Sequence, residues 1–424
     1  MEGYGIKKGY RKNDTGKYTN NLLKNTYANR DLDDWEVDNW ISGAENASAL
    51  VSADNTLSNL GTKCFKVTRN DASDALWPIL RQRVKVQKKS YDRKFTFSGD
   101  IKLPEDLSDG SGVSLHIASF GSNGQQMSGD EYSRWIKSET DWTRESVTVN
   151  VPAGAEEIEC AFGIKESIGT AYFDCLQLEE SDFPNDYNMV ENSSFDGNLE
   201  SWSVSEGSNA EVENGKLKII GNSEITQKVS QEIFINKENT VFAVRANSQG
   251  ASIPNKEISG IRYCIECFLN FEDNTSKLIN VWLNPDVSDE QSVYASIAPD
   301  DYGYDKKVKS IVVSPSFDKN LNTVYFDNIQ ICIDDDGMNY ELNDNGMRTK
   351  ITNNTGDSTE YTLNSDNEIT QVKNGNQNQI NYNYGDTTQK HRVTAYTIKQ
   401  NGSDVKTGLN YDSSGNVVSS STQN

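Results

Sequence analysis

Three aromatic side chains in the first third of the chain, Trp77, Tyr132 and Trp135, are of a kind suited to sugars, because a pyranose presents apolar C–H groups that pack against a flat ring. Trp77 stands immediately before Pro78, at the lip of a strand. Tyr132 and Trp135 share the polar loop Ser128-Gly-Asp-Glu-Tyr-Ser-Arg-Trp135, where Arg134 or Asp130 could hydrogen-bond to hydroxyls. Ordinary packing is the competing account of each ring.

A second candidate lies in a phrase that occurs twice, Ala-Tyr-Phe-Asp-Cys-Leu-Gln-Leu at 171–178 and Val-Tyr-Phe-Asp-Asn-Ile-Gln-Ile at 324–331. In a strand Phe173 and Cys175 share one face and Asp174 takes the other, so an apolar-in reading explains the flanks and leaves the carboxylate unassigned. Asp327 repeats the problem. One role for such an Asp is to accept hydrogen bonds from the backbone of the first strand region, pinning the two ends of a domain.

The elements that must position these residues follow from the same repetition. Asn-Leu-Leu-Lys-Asn at 21–25 with Trp35 is echoed by Asn-Met-Val-Glu-Asn at 188–192 with Trp202. The openings are 167 residues apart and the closings 153, so one duplicated unit has kept its ends while its loops changed length. Between the ends run short period-two segments such as Gln82-Arg-Val-Lys-Val86, Val113 to Phe120 and Glu145 to Val151, with Lys277 to Leu283 in the second copy, separated by Asp, Asn, Ser and Gly turns. No window has helical spacing with caps at both ends. The expected fold is all-β: two β-sandwiches in series, 21–183 and 184–335, after a lead-in at 1–20. Residues 336–424 read as a β-hairpin array too poor in apolar groups to stand without neighbours. Trp35, Trp142 and Trp202 are expected in the interiors, and Tyr294, Tyr302 and Tyr304 form a looser cluster in the second copy.

Composition removes several functions. With 63 acidic and 41 basic residues the formal charge is −22, which repels a nucleic-acid backbone or an anionic membrane. The basic run Arg81, Arg83, Lys85, Lys88 and Lys89 reads as a solvated strand face. Six Cys are too few for a disulfide scaffold, and Cys264 and Cys267, three apart on a strand, point to opposite faces instead of forming half a metal knuckle. The start Met-Glu-Gly-Tyr-Gly has no apolar core, so no signal peptide or membrane span is expected, and an exported parent would make this chain a fragment without its export signal. His116 and His391 have no Ser or Cys partner in a nucleophile context, no Gly-rich phosphate loop follows a strand, and spacing selects no carboxylate pair. A non-catalytic protein is expected.

The motif Asn21-Leu-Leu-Lys-Asn25 with Tyr27 and Trp35, Gln82-Arg-Val-Lys-Val with Tyr91 and Phe97, Trp142 before Val147-Thr-Val-Asn-Val-Pro-Ala-Gly-Ala155, and Tyr172-Phe-Asp-Cys-Leu-Gln-Leu-Glu179 resemble carbohydrate-binding modules of the galactose-binding-like jelly-roll class. The resemblance covers 21–180 well and 188–333 loosely, since the second copy lacks the Pro-Ala-Gly-Ala turn and a match to Trp142. It implies two jelly rolls, a polysaccharide or other glycan as partner on Trp77, Tyr132, Arg134 and Trp135, and a structural Ca2+ held by Asp174 with oxygens around Asn25, and by Asp327 with those around Asn192. Tyr411-Asp-Ser-Ser-Gly-Asn-Val417 resembles the tyrosine-aspartate (YD/RHS-type) repeats of bacterial cell-surface and toxin shell proteins. That likeness implies an extracellular or cell-surface parent whose remaining repeats are partners of the tail. A structural spacer within such a shell is the alternative to glycan binding.

Overall fold

The computed structural model describes residues 8–9, 19–39, 51–70, 77–238, 240–250, 262–285, 287–304, 306–318, 321–334, 338–343, 347–353, 358–374, 378–386, 391–400 and 403–423. The chain divides into two compact units, residues 16–333 and the combination of 1–15 with 334–424. Among the described residues no helix is long and apolar enough to cross a membrane.

Strand β1 (Lys8–Gly9) belongs to the second of these units. The first sandwich contains β2 (Glu36–Asn39), β3 (Val51–Asp54), β4 (Cys64–Arg69), β5 (Pro78–Lys85), β6 (Arg93–Leu103), β7 (Gly112–Phe120), β8 (Gln126–Tyr132), β9 (Thr140–Val151), β10 (Glu157–Lys165) and β11 (Gly169–Glu179). They form two antiparallel five-stranded sheets in the orders β2-β5-β10-β7-β8 and β3-β4-β11-β6-β9. The second sandwich, β12 (Ser203–Val204), β13 (Asn209–Glu213), β14 (Lys216–Ile220), β15 (Thr226–Glu238), β16 (Phe242–Gly250), β17 (Tyr263–Phe271), β18 (Ser276–Trp282), β19 (Gln291–Ile297), the single turn α1 (Pro299–Tyr302), β20 (Lys307–Asp318) and β21 (Thr323–Ile333), repeats that order as β12-β15-β20-β17-β18 and β13-β14-β21-β16-β19. The expected all-β architecture of tandem sandwiches is what the chain adopts. Alternation drives it: in β10 Ile158, Cys160, Phe162 and Ile164 enter the core, and Glu157, Glu159, Ala161, Gly163 and Lys165 face outward.

The duplication reaches down to single hydrogen bonds. Asn21 Oδ1 accepts from the Leu23 and Leu178 amides, and Asn188 Oδ1 from those of Val190 and Ile331. Gln82 and Gln231 each bond both backbone groups of one opening residue, Lys24 and Glu191 respectively. Trp35 and Trp202, both buried, donate Nε1–H to the Asn25 and Asn192 carbonyls at 3.1 Å. Trp142 departs from expectation. It is half-buried and outside the core cluster, because it lies on the outward side of β9, next to Thr143, which pairs with core residue Ile101.

Each copy buries its own apolar cluster, and the second cluster reaches across the junction. Tyr27, Leu60 and Cys175 of the first sandwich join the apolar cluster of the second. Glu191, buried at the junction, accepts the Asn25 amide at 2.8 Å, the Arg30 guanidinium at 3.0 and 3.3 Å and the Ser201 hydroxyl at 2.8 Å. The Tyr187 and Thr26 hydroxyls meet at 2.5 Å, and the Gly61 amide donates to the Ile235 carbonyl at 3.0 Å.

The remaining unit is one antiparallel sheet in the order β1-β22-β23-β24-β25-β26-β27-β28-β29, formed with β22 (Met338–Leu342), β23 (Arg348–Asn353), β24 (Ser358–Leu363), β25 (Ile369–Asn374), β26 (Asn378–Asn383), β27 (Ala395–Gln400), β28 (Ser403–Tyr411) and β29 (Val417–Gln423). Among its described side chains only Ala395 and Thr407 are buried. The expected lead-in at 1–20 mostly lies outside the described residues, but Lys8 and Gly9 pair with Asn339 and Met338, so the sheet joins a strand that precedes residues 16–333 in sequence to strands that follow them. Its repeating element is a bulged turn in which Leu342 pairs with Arg348, Leu363 with Ile369 and Tyr411 with Val417. Asn364 Oδ1 and Asp412 Oδ1 each accept two amides of their own turns.

Candidate functional site

The outward face of the β2-β5-β10-β7-β8 sheet carries the chemistry. One row across it runs Glu36, Arg81, Ala161, His116 and Tyr132, and the next runs Arg83, Glu159, Ala118 and Gly129. Extending the β5–β10 register by two residues sets Trp77 opposite Lys165. Gly112, with φ 103, faces Lys165 from β7 and lets the Ile136 carbonyl approach to 2.3 Å from where a Cβ would stand, which draws the Trp135 segment over the sheet.

Three of the four residues singled out in the sequence meet there. The Trp77 and Tyr132 rings lie 6.3 Å apart at 23°, and Tyr132 and Trp135 5.2 Å apart at 29°, all three half-buried. Lys165 Nζ sits 4.5 Å from the Trp77 centroid and 5.7 Å from that of Trp135. His116, beneath Tyr132 at 4.8 Å, holds Nε2 3.3 Å from Asp130 Oδ1, and burial pushes its pKa down. Arg134 is not part of the group. Its guanidinium reaches Glu145 of β9, in the opposite sheet, at 2.5 Å. Arg81 and Arg83 are also more than a solvated strand face: both pair with buried Glu159, at 3.5 and 2.7 Å, and Arg83 covers the Phe120 ring at 4.1 Å.

The corresponding face of the second sandwich carries Trp282, 56% exposed, paired with Cys264, and Leu278 paired with Phe268. Sequence reasoning missed Trp282, although it ends an alternating strand as Tyr132 does. The expected tyrosine cluster does not form. Tyr302 is buried against Phe271, Tyr294 stacks with Arg245 in the other sheet, and exposed Tyr304 bonds Asp300.

Asp174 and Asp327 each create a bulge. Asp174 Oδ1 accepts the Cys175 amide and Asp327 Oδ1 the Asn328 amide, with Cys175 and Asn328 at φ 51 and 49. The twist lets Leu176 bond Thr26 and Ile329 bond Ser193, so the closing strands do meet the opening segments. Asp174 Oδ2 also accepts the Asn59 and Leu60 amides at 2.7 and 3.0 Å. In the second copy the two-residue turn Asn214–Gly215 replaces that loop, and Asp327 stays half-exposed.

The surroundings of Asp174 do not fit calcium. Both oxygens of Asp174 already face peptide N–H groups, which repel a cation. The side chains of Asn25 and Asn192 are spent on their own turns, and their carbonyls on Trp35 and Trp202. Among the described residues no three His, Cys, Asp or Glu side chains are grouped to hold an ion. The melting midpoint is therefore expected to be the same in millimolar calcium and in chelator. A rise of several degrees with calcium would return the ion to both bulges.

No protein-family model matches the chain. It is 26% identical over 216 residues to the tRNA nuclease WapA of Bacillus subtilis strain 168, a match covering 48% of this chain and 9% of that protein, with the same figures for the tRNA3(Ser)-specific nuclease WapA of Bacillus spizizenii. The chain thus spans about a tenth of the length of these curated relatives. Among solved structures it is similar to the CBM22-1–CBM22-2 tandem domain of Paenibacillus barcinonensis Xyn10C, at 15% identity over 75% of this chain and 98% of that one, TM-score 0.27. It is also similar to a family 16 carbohydrate-binding module, at 19% identity over 38% of this chain and all of that one (100%), TM-score 0.28. Superpositions this loose add nothing to the fold already read from strand register.

Proposed function

We propose that the first sandwich binds a glycan chain across the outward face of β2-β5-β10-β7-β8, without catalysis, as part of a larger bacterial surface or secreted protein. The convergence of Trp77, Tyr132 and Trp135 on one half-exposed surface carries this reading. Strands distant in sequence bring together flat apolar faces above a floor of small residues, Ala118, Ala161 and Gly163, with Asp130 and Lys165 as polar groups at the rim. No nuclease role is assigned to this segment.

Tryptophan fluorescence titration of the full chain with soluble polysaccharides tests it. Trp135→Ala is expected to weaken the best ligand about thirtyfold, from roughly 2 kcal/mol of lost stacking and burial. A flat response across diverse polysaccharides by the folded protein would refute the reading. The apolar contacts across the junction, made by Tyr27, Leu60 and Cys175, favour a second one, in which the sandwich pair is a rigid spacer in a surface shell. The hairpin sheet, nearly without buried side chains, would then be completed by the remaining repeats of the parent protein.

A further inference from the structure

We infer that the glycan taken by this face is acidic, and that Lys165 selects it by pairing with an oxyanion carried on a sugar ring. The inference rests on the reading of the Trp77–Tyr132–Trp135 surface as a glycan site.

The cations of this face differ in one respect. Arg81 is held by Glu36, Asp38 and Glu159, and Arg83 by Glu157 and Glu159. Lys165 has no carboxylate within 4.0 Å among the described residues, and its contacts are the faces of two indoles. In a chain with 63 acidic residues, a half-buried ammonium without a carboxylate partner among the described residues is a distinctive placement. Attraction to the rings, about 0.5–2 kcal/mol, holds it over the surface where a pyranose would stack.

The consequence for a ligand is direct. A neutral sugar on either indole displaces the ammonium and offers it only neutral hydroxyl oxygens, whereas a ring bearing a carboxylate or sulfate brings it an anionic acceptor and a stronger hydrogen bond. The charge of −22 opposes a polyanion at long range, but the Debye length at physiological salt is about 8 Å, and an ion pair acts within about 4 Å.

The test is a titration of the full chain at about 0.15 M salt, comparing polygalacturonate and chondroitin sulfate with neutral galactan and xylan of similar length. The expected result is a roughly tenfold preference for an acidic polymer, the size of one charge-assisted hydrogen bond, and the two acidic arms tell carboxylate from sulfate. Lys165→Gln should abolish the preference by weakening the acidic polymers about tenfold more than the neutral ones, and Lys165→Arg should restore most of it. Trp135→Ala should weaken both classes. Equal binding of both classes, unchanged in Lys165→Gln, overturns the inference and leaves the glycan site standing. Equal loss of both in Lys165→Gln also overturns it, making Lys165 a support for the rings. No binding of any polysaccharide by the folded protein overturns site and inference together.

Discussion

Glu191→Ala is expected to lower the stability of the sandwich pair by about 2–4 kcal/mol, chiefly because the Asn25 amide and the Ser201 hydroxyl lose their acceptor at about 1–3 kcal/mol each, while the half-exposed Arg30 pair adds about 0–1 kcal/mol. The substitution strips the Asn25 amide, the Arg30 guanidinium and the Ser201 hydroxyl of their shared acceptor, leaving a cation at the edge of a buried interface. Arg30 retains Asp34 at 2.9 Å, which keeps the expected loss within this range. Because Tyr27, Leu60 and Cys175 extend the second apolar cluster, both sandwiches should unfold in one calorimetric transition in the wild type. Two separate transitions, with the variant altering only one, would show that the copies fold independently.

The second large effect is at Asp174. Asp174→Ala leaves the Asn59, Leu60 and Cys175 amides without an acceptor, at about 1–3 kcal/mol for each that stays buried. It also frees the loop that carries Leu60 and Gly61 onto the second sandwich, so the change should loosen the junction as well as the bulge. The expected total is about 3–5 kcal/mol. Its pH dependence is diagnostic. Burial pushes the Asp174 carboxyl up to about 7, although three peptide N–H groups pull it down. A folded pKa above the unfolded one of about 3.9 means that the native state binds the proton more tightly, so this group's stabilisation is full below about pH 4 and is lost as pH rises through about 7. The difference between wild type and variant should therefore be larger at pH 5 than at pH 8, by about 2–3 kcal/mol. Asp327, raised to about 6 by its partial burial, adds a smaller change of the same sign to the wild-type curve. Urea titrations of both proteins at the two pH values measure this, and a pH-independent difference would mean that Asp174 is ionised throughout.

The tight junction bears on function. Two faces built to one plan, one with Trp77, Tyr132 and Trp135 and the other with Trp282, belong to a single compact unit. Any ligand that spans them would meet a fixed separation, where linker length has no influence.

How much of this was written in the sequence follows from the range of the interactions. Period-two alternation, turn residues and the recurrence of Asn21 and Trp35 as Asn188 and Trp202 determined the all-β class, the duplication and the buried tryptophans, because side-chain direction along a strand is a local property of the backbone. The same logic placed Cys264 and Cys267 on opposite faces, with Cys267 in the core. Tertiary structure alone decided which strands lie side by side. Trp77 and Tyr132 come together only because β10 and β7 are inserted between β5 and β8, and the same order set Lys165 over the indoles and turned Arg134 away to Glu145. It also decided what Asp174 serves. A nine-residue loop at 55–63 folds back to present two amides, where the second copy has only Asn214–Gly215. Pairing order and loop return are choices among contacts of similar local chemistry, made by the packing of the whole, and for that reason no segment of the sequence contains them.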